Sequence, residues 1–166
     1  TYQKTSMSHE QLMNQVVGNR ATILFEASDK PLGSWNYRNQ ETDWEFIQRL
    51  ASQCGYSLIT NVKTQKPVIS IGVSSKKAEC QVVDSEHSSN GTNIIYRTYD
   101  MVSLGSMYEN NEYINSIKTF IDRGYLITQF TTAQIKVFSR KQIYNSQSAC
   151  KMLTGKVQAI DKEKIQ

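Results

Sequence analysis

No apolar run in this chain approaches the length needed to span a bilayer, and no charged-then-apolar leader opens it. A soluble protein without an export signal of its own is therefore expected. Cysteine is scarce as well: Cys54, Cys80 and Cys150 are odd in number, widely spaced, and include no Cys-x-x-Cys pair. That disfavours both a disulfide scaffold and a zinc site, leaving reduced cytoplasmic thiols as the simplest expectation. Histidine occurs only at His9 and His87. The sequence also lacks Gly-x-Gly-x-x-Gly, a Walker-type Gly-Lys-Ser/Thr and His-Glu-x-x-His. Nucleotide binding and zinc proteolysis thus lack their usual handles. There is no internal repeat at a solenoid period.

What is present begins with 166 residues, enough for one compact domain or two small subdomains. The net charge of +4 is mild and does not single out nucleic acid as a partner. Its distribution is uneven, since from Lys136 onward seven basic residues face only Asp161 and Glu163. A polyanion or an acidic neighbouring subunit would suit that end, and a solvated surface explains it more plainly.

Two helices are legible. Ser8 can cap the first, with Gln11 reaching back and Met7 stapled against Leu12. Its buried stripe is Leu12, Met13, Val16 and Val17, running from His9 to about Val17, and Gly18 ends it. Ala21 to Glu26 alternates as a short strand, and Ser28 to Ser34 has the chemistry of a surface loop. In the second helix Thr42 is the cap and Glu45, three residues on, can reach back to its amide. Asp43 and Glu45 face the positive end of the helix dipole. Phe46, Ile47, Leu50, Ala51 and Cys54 form one apolar face of this helix, from Asp43 to Cys54, with Gly55 as its left-handed stop.

After Pro67 the character changes to β-branched and aromatic runs. Strands are expected over Val68–Val73, Glu79–Val83, Asn93–Tyr99, Tyr125–Phe130, Gln134–Phe138 and Gly155–Ile160, with Asp122-Arg123-Gly124 as a hairpin turn. Glu112 to Ile121 fits a strand, yet Ile114, Ile117 and Ile121 could also line a helix. Ser85 to Thr92 reads as the most flexible loop. The fold class expected is α+β, mainly β: a helix-containing unit over 1–67, a barrel-like or curled antiparallel sheet over 68–150, and the start of a further barrel over 151–166.

Residues capable of chemistry are few. His87 beside Asp84, Ser85 and Glu86 holds the ingredients of acid/base or metal chemistry, but working partners are normally drawn from separate segments, and a hydrated polar loop suffices. Capping and the helix dipole account for the carboxylates of Asp43 and Glu45 without catalysis. Asn90-Gly91-Thr92 fits a glycosylation acceptor and, better, a turn. Trp35, Tyr37 and Trp44 could stack on a base or sugar, although aromatics around a capped helix are more often core or subunit contacts. No catalytic, cofactor-binding or metal-binding residue is assigned.

Glu41-Thr42-Asp43, Phe46, Arg49-Leu50-Ala51 and Gly55 stand in an order and spacing that resembles a motif of contractile injection system hubs. That family includes the phage late control gene D protein, the VgrG-like spike proteins of type VI secretion, and baseplate hubs of prophages and tailocins. Tyr2 to Met13 resembles the segment leading from the first hub barrel into its helical part. Leu153 to Glu163 looks like the first strands of the oligonucleotide/oligosaccharide-type barrel that follows the hub. Gly124-Tyr125-Leu126 and Tyr144-Asn145 sit where Gram-positive prophage relatives show a Gly-x-Leu hairpin and a Tyr-Asn pair.

The resemblance implies a structural protein without turnover chemistry or cofactor. It also implies a homotrimer that joins the tail tube to the spike, with neither nucleic-acid specificity nor membrane insertion. Such a part assembles in the bacterial cytoplasm and then belongs to a virion or injection particle. The competing expectation is a delivered or fused cell-wall-binding module associated with peptidoglycan hydrolysis. The chain reads as a fragment of a longer polypeptide.

Overall fold

The computed structural model describes residues 4, 6–34, 36–61, 65–88, 93–148, 160–161 and 164–165. Helix α1 spans His9–Val17. The Gln11 amide donates to Ser8 Oγ and the Ser8 amide to Gln11 Oε1, each at 3.2 Å, so both halves of the capping box form. Helix α2 spans Asp43–Gln53 and is built the same way. The Glu45 amide donates to Thr42 Oγ1 at 3.2 Å, and the Thr42 amide to Glu45 Oε2 at 2.8 Å. Gly18 and Gly55 follow the two helices with positive φ.

Both helices cover one face of a three-stranded sheet of β1 (Thr22–Phe25), β2 (Leu58–Asn61) and β3 (Val68–Ile71), in the order β1-β3-β2. β1 runs parallel to β3 and β2 antiparallel to it. The period of two sorts their side chains: Ile23, Ile69 and Ile71 join Leu12, Met13, Phe46 and Leu50 in one core. Leu24, Ser70 and Ile59 make a cross-strand row on the opposite face. At the end of β3 the chain turns through Gly72, at φ +93°, where an added Cβ would lie 3.0 Å from the Ala27 backbone nitrogen. The Glu26 and Ala27 amides both donate to the Ile71 carbonyl there, which fixes that close approach. β3, the strand expected to open the second unit, thus hydrogen-bonds into the helix-covered sheet.

The larger sheet has six strands in the order β4-β7-β8-β9-β6-β5. Its strands are β4 (Ser74–Lys77), β5 (Val82–His87), β6 (Ile94–Thr98), β7 (Ser106–Met107), β8 (Tyr113–Asp122) and β9 (Tyr125–Ala133). All neighbours are antiparallel except β4 and β7. Val102, Ile114 and Phe130 form its core, with Tyr96, Tyr108 and Ile117 packed around them. The ring centroids of Tyr96 and Tyr108 each lie near 5 Å from that of Phe130, at 5.2 Å in both cases.

The chain is α+β and mainly β, as expected. Of the two forms expected, barrel-like or curled antiparallel sheet, the sheet is not closed: among the described residues β4 and β5 stand at opposite ends and do not pair. Closure requires the end strands to meet in register. Here β4 is a short Ser-Ser-Lys-Lys edge whose pairing with β7 is interrupted by a register shift. Adjacent lysines and irregular register are devices that discourage further pairing.

Several local expectations also change. Ser85, Glu86 and His87 belong to β5, not a loop, because Arg97 on β6 bridges Asp84 and Glu86 across the strand pair. Of Glu79–Val83 only the last two residues are in that strand. Ile135–Phe138 is a single 3₁₀ turn instead of a strand. Glu112–Ile121 resolves, from Tyr113 on, as β8; Ile121 shares the face of Ile117 but lies beyond the core, near the end of the strand, and is exposed.

Beyond that 3₁₀ turn the chain comes back to α2. Ser139 bridges Tyr56, the Arg140 amide donates to the Gly55 carbonyl at 2.9 Å, and the Ile143 amide donates to Ser52 Oγ at 2.9 Å. Asn145 Nδ2 donates to the Asn39 carbonyl, and Asn39 Nδ2 to the Gln147 carbonyl, both at 2.9 Å. β10 (Ile160–Asp161) and β11 (Lys164–Ile165) form a two-stranded antiparallel pair. Most of the stretch expected to begin a further barrel, from 151 to 159 with 162, 163 and 166, lies outside the described residues. Cys150, Trp35, Asn90-Gly91-Thr92 and the opening Tyr2, Gln3 and Thr5 lie outside them too.

Candidate functional site

Helix α2 and the residues before it make a dense electrostatic clip. Arg49 Nε donates to Glu41 Oε1 at 2.8 Å and its terminal nitrogen to Glu41 Oε2 at 2.9 Å, in a bidentate pair. The same terminal nitrogen donates to the Tyr37 carbonyl at 2.9 Å, and the guanidinium carbon sits 5.0 Å from the Phe46 ring centre. Asp43 is paired with Arg20 and Arg38. The Arg20 hydrogen bond, with Arg38 adding to it, holds the Asp43 carboxyl below its ordinary value against the opposing effect of desolvation. Glu45 is held low by the Thr42 amide and then by the Thr42 hydroxyl. These carboxylates are engaged by caps and guanidinium groups. Every residue of the Glu41 to Leu50 pattern has a place in this clip or in the core beneath it.

The two histidines occupy different elements. His9 is buried on α1, its Nδ1 donating to the Lys30 carbonyl at 2.8 Å and its Nε2 lying 3.2 Å from Gln53 Oε1. His87 ends the exposed edge strand β5 opposite Ile94. Asp84 and Glu86, its sequence neighbours, are turned to Arg97. Among the described residues no group of three or more His, Cys, Asp or Glu is placed to hold a metal ion. Cys54 and Cys80 are free thiols. Burial pushes Cys54 up to about 11, assisted by Asp29, and burial likewise raises Cys80. Trp44 is exposed on α2, while Tyr37 is half-buried.

Between the sheets runs an open cleft of about 430 Å³. Leu24, Ile59 and Val68 line it from the smaller sheet, Ile117 from the larger, and Met101 and Leu104 from the connection between β6 and β7. Glu26 and Lys76 are its two charged lining residues. Hydroxyl side chains, among them Ser70, Ser74 and Thr128, complete the lining.

Past Thr119 and Thr128, which line this cleft, the β8–β9 hairpin runs on with no third strand beside it among the described residues. β6 leaves it after the Thr98–Thr128 pair, and β7 pairs β8 only at Met107–Tyr113. Beyond them stand Phe120–Ile127, Ile121–Leu126 and Asp122–Tyr125 as cross-strand pairs, closed by Arg123 and Gly124. Ile121 is 74% exposed and Tyr125 66% exposed. The Tyr125 ring centre lies 6.0 Å from that of Tyr99, itself 56% exposed. The sequence carried a signal for this surface: the adjacent apolar pairs Phe120-Ile121 and Leu126-Ile127 break strand alternation on both sides of the turn.

Among the described residues no helix is long and apolar enough to cross a membrane. Comparison with protein-family models, with curated proteins and with solved structures finds no match to this chain.

Proposed function

We propose that this chain is a structural hub component of a phage-tail-like contractile injection apparatus, assembling as a threefold ring between tail tube and spike. The observation that carries the proposal is the Glu41 to Gly55 pattern, which resembles the hub motif. Each of its characteristic side chains serves architecture: Glu41 and Arg49 lock together, Thr42 caps, and Phe46 and Leu50 fill the core. A further support is a surface suited to contacts between chains, an apolar hairpin tip. No turnover chemistry is required of such a part. Its partners are copies of itself and the tube and spike proteins on either side.

Light scattering over a concentration series tests the proposal directly. A solution mass three times that of the chain is expected at high concentration. A chain that stays monomeric at every concentration and digests purified peptidoglycan would instead support the cell-wall module.

A further inference from the structure

The tip of the β8–β9 hairpin has three properties seldom combined at a loop end. First, it is apolar on both faces. Ile121 and Leu126 pair on one side, while Tyr125 turns to the other beside Tyr99, and Met101, at the edge of the cleft, is 65% exposed. Solitary exposed apolar residues are ordinary, but a contiguous group on a projection that no third strand flanks among the described residues marks a surface awaiting a partner. Second, the turn carries one charge of each sign on adjacent residues, Asp122 and Arg123, and neither joins an ion pair among the described residues. Third, Arg123 is held at φ +48°, followed by Gly124 at φ +85°. Both central residues of this two-residue turn thus have the positive φ that hairpin turns need. Asparagine, aspartate or glycine adopts the first of those positions more readily than arginine does.

Complementary charge selects among possible occupants. A tip of one sign would repel its own copy, whereas a tip that is locally neutral, with its two charges side by side, matches a second tip related by a cyclic rotation. We infer that the hairpin tip is the surface through which copies of this chain meet, the apolar faces packing together and Arg123 of each copy meeting Asp122 of the next. The inference rests on the self-assembling reading above and adds to it a location and a rule for pairing. The strained arginine then has a reason: at this position the guanidinium is carried to the extremity of the projection, where a neighbour can reach it.

Charge exchange at the turn tests this in the full chain. Asp122→Arg alone and Arg123→Asp alone each give the tip a single sign and should weaken self-association on the order of tenfold or more. Asp122→Arg combined with Arg123→Asp restores one charge of each sign and should restore association; aspartate tolerates the positive φ of the second position. Ile121→Ser with Leu126→Ser should abolish association, while Trp44→Ser, on exposed α2, should leave it unchanged. Unaltered circular dichroism and melting separate lost assembly from lost fold. Trimers that persist in all tip variants would overturn this inference and leave the ring standing. A dimer dissolved by the same variants would keep the tip and remove the threefold ring. A parent chain monomeric at all concentrations would overturn both.

Discussion

Arg49 and Glu41 face each other as a fork and its complement, with two parallel hydrogen bonds of 2.8 and 2.9 Å and side chains only 9% and 11% exposed. The pair ties the middle of α2 to the extended segment that precedes it. In such a place the loss of one partner costs more than the loss of both, because a lone buried charge remains. Arg49→Met should therefore lower stability by roughly 3 kcal/mol in urea unfolding. Arg49→Met combined with Glu41→Leu should recover part of that loss. A single variant that unfolds at the parent's midpoint would show that the fork contributes nothing.

The cap on the same helix predicts an acid response. Hydrogen bonds from Thr42 depress Glu45, and those from Arg20 and Arg38 depress Asp43, so both carboxyls titrate lower in the folded chain than in the unfolded one. The stability they contribute is complete above the ordinary carboxylate range and is lost as pH falls through the folded values. Thr42→Ala should cost about 1 kcal/mol at neutral pH. It should also flatten the decline in melting temperature between neutral and strongly acidic solution. An unchanged acid limb in this variant would mean that other carboxyls govern it.

Gly72 lies where two backbones meet. Alanine there incurs about 1–2 kcal/mol for the left-handed conformation, and its Cβ must also displace the Ala27 amide, 3.0 Å away. Gly72→Ala should destabilise the chain by at least that amount in denaturant titration. A variant as stable as the parent would mean that the β1–β3 junction yields freely.

Thiol chemistry gives a separate check on burial. With Cys54 pushed up to about 11 and Cys80 also raised, both thiolates are depleted at pH 8 relative to a free cysteine. Iodoacetamide should label these two positions in the folded chain much more slowly than in urea, as read by peptide mass mapping. Labelling of native Cys54 at the rate of a free thiol would contradict the packing around α2.

Local signals in the sequence announced the helices and several strands because their causes are local. Ser8 with Gln11 and Thr42 with Glu45 are complete capping boxes within four residues, and β1, β3, β6 and β9 carry the alternation or β-branched content of buried strands. The edge strands were hidden for the opposite reason. β4 reads Ser-Ser-Lys-Lys and β5 ends Asp-Ser-Glu-His, compositions of a solvated loop, and they are strands only because a neighbour supplies partners. Arg97, thirteen residues from Asp84, is what aligns β5, and no short window contains both. The Gln134–Phe138 run failed for want of a neighbour: its apolar residues wind into a 3₁₀ turn that buries Phe138 and leaves Ile135 and Val137 outside. At the candidate site the clip was legible as a motif, but the arginine partner of Glu41 was not, since a pairing across eight residues is set by the path of the chain before α2.

The return of residues 139 to 147 onto α2 has a kinetic consequence. Its hydrogen bonds join positions 91, 106 and 108 residues apart, so none can form until nearly the whole described chain exists. Contacts of such sequence separation are made late and slowly. During synthesis α2 and its sheet therefore emerge first and wait, with Ser52 and the Asn39 carbonyl still open to water. Residues 139 to 147, made after both sheets, then latch the first unit to the second.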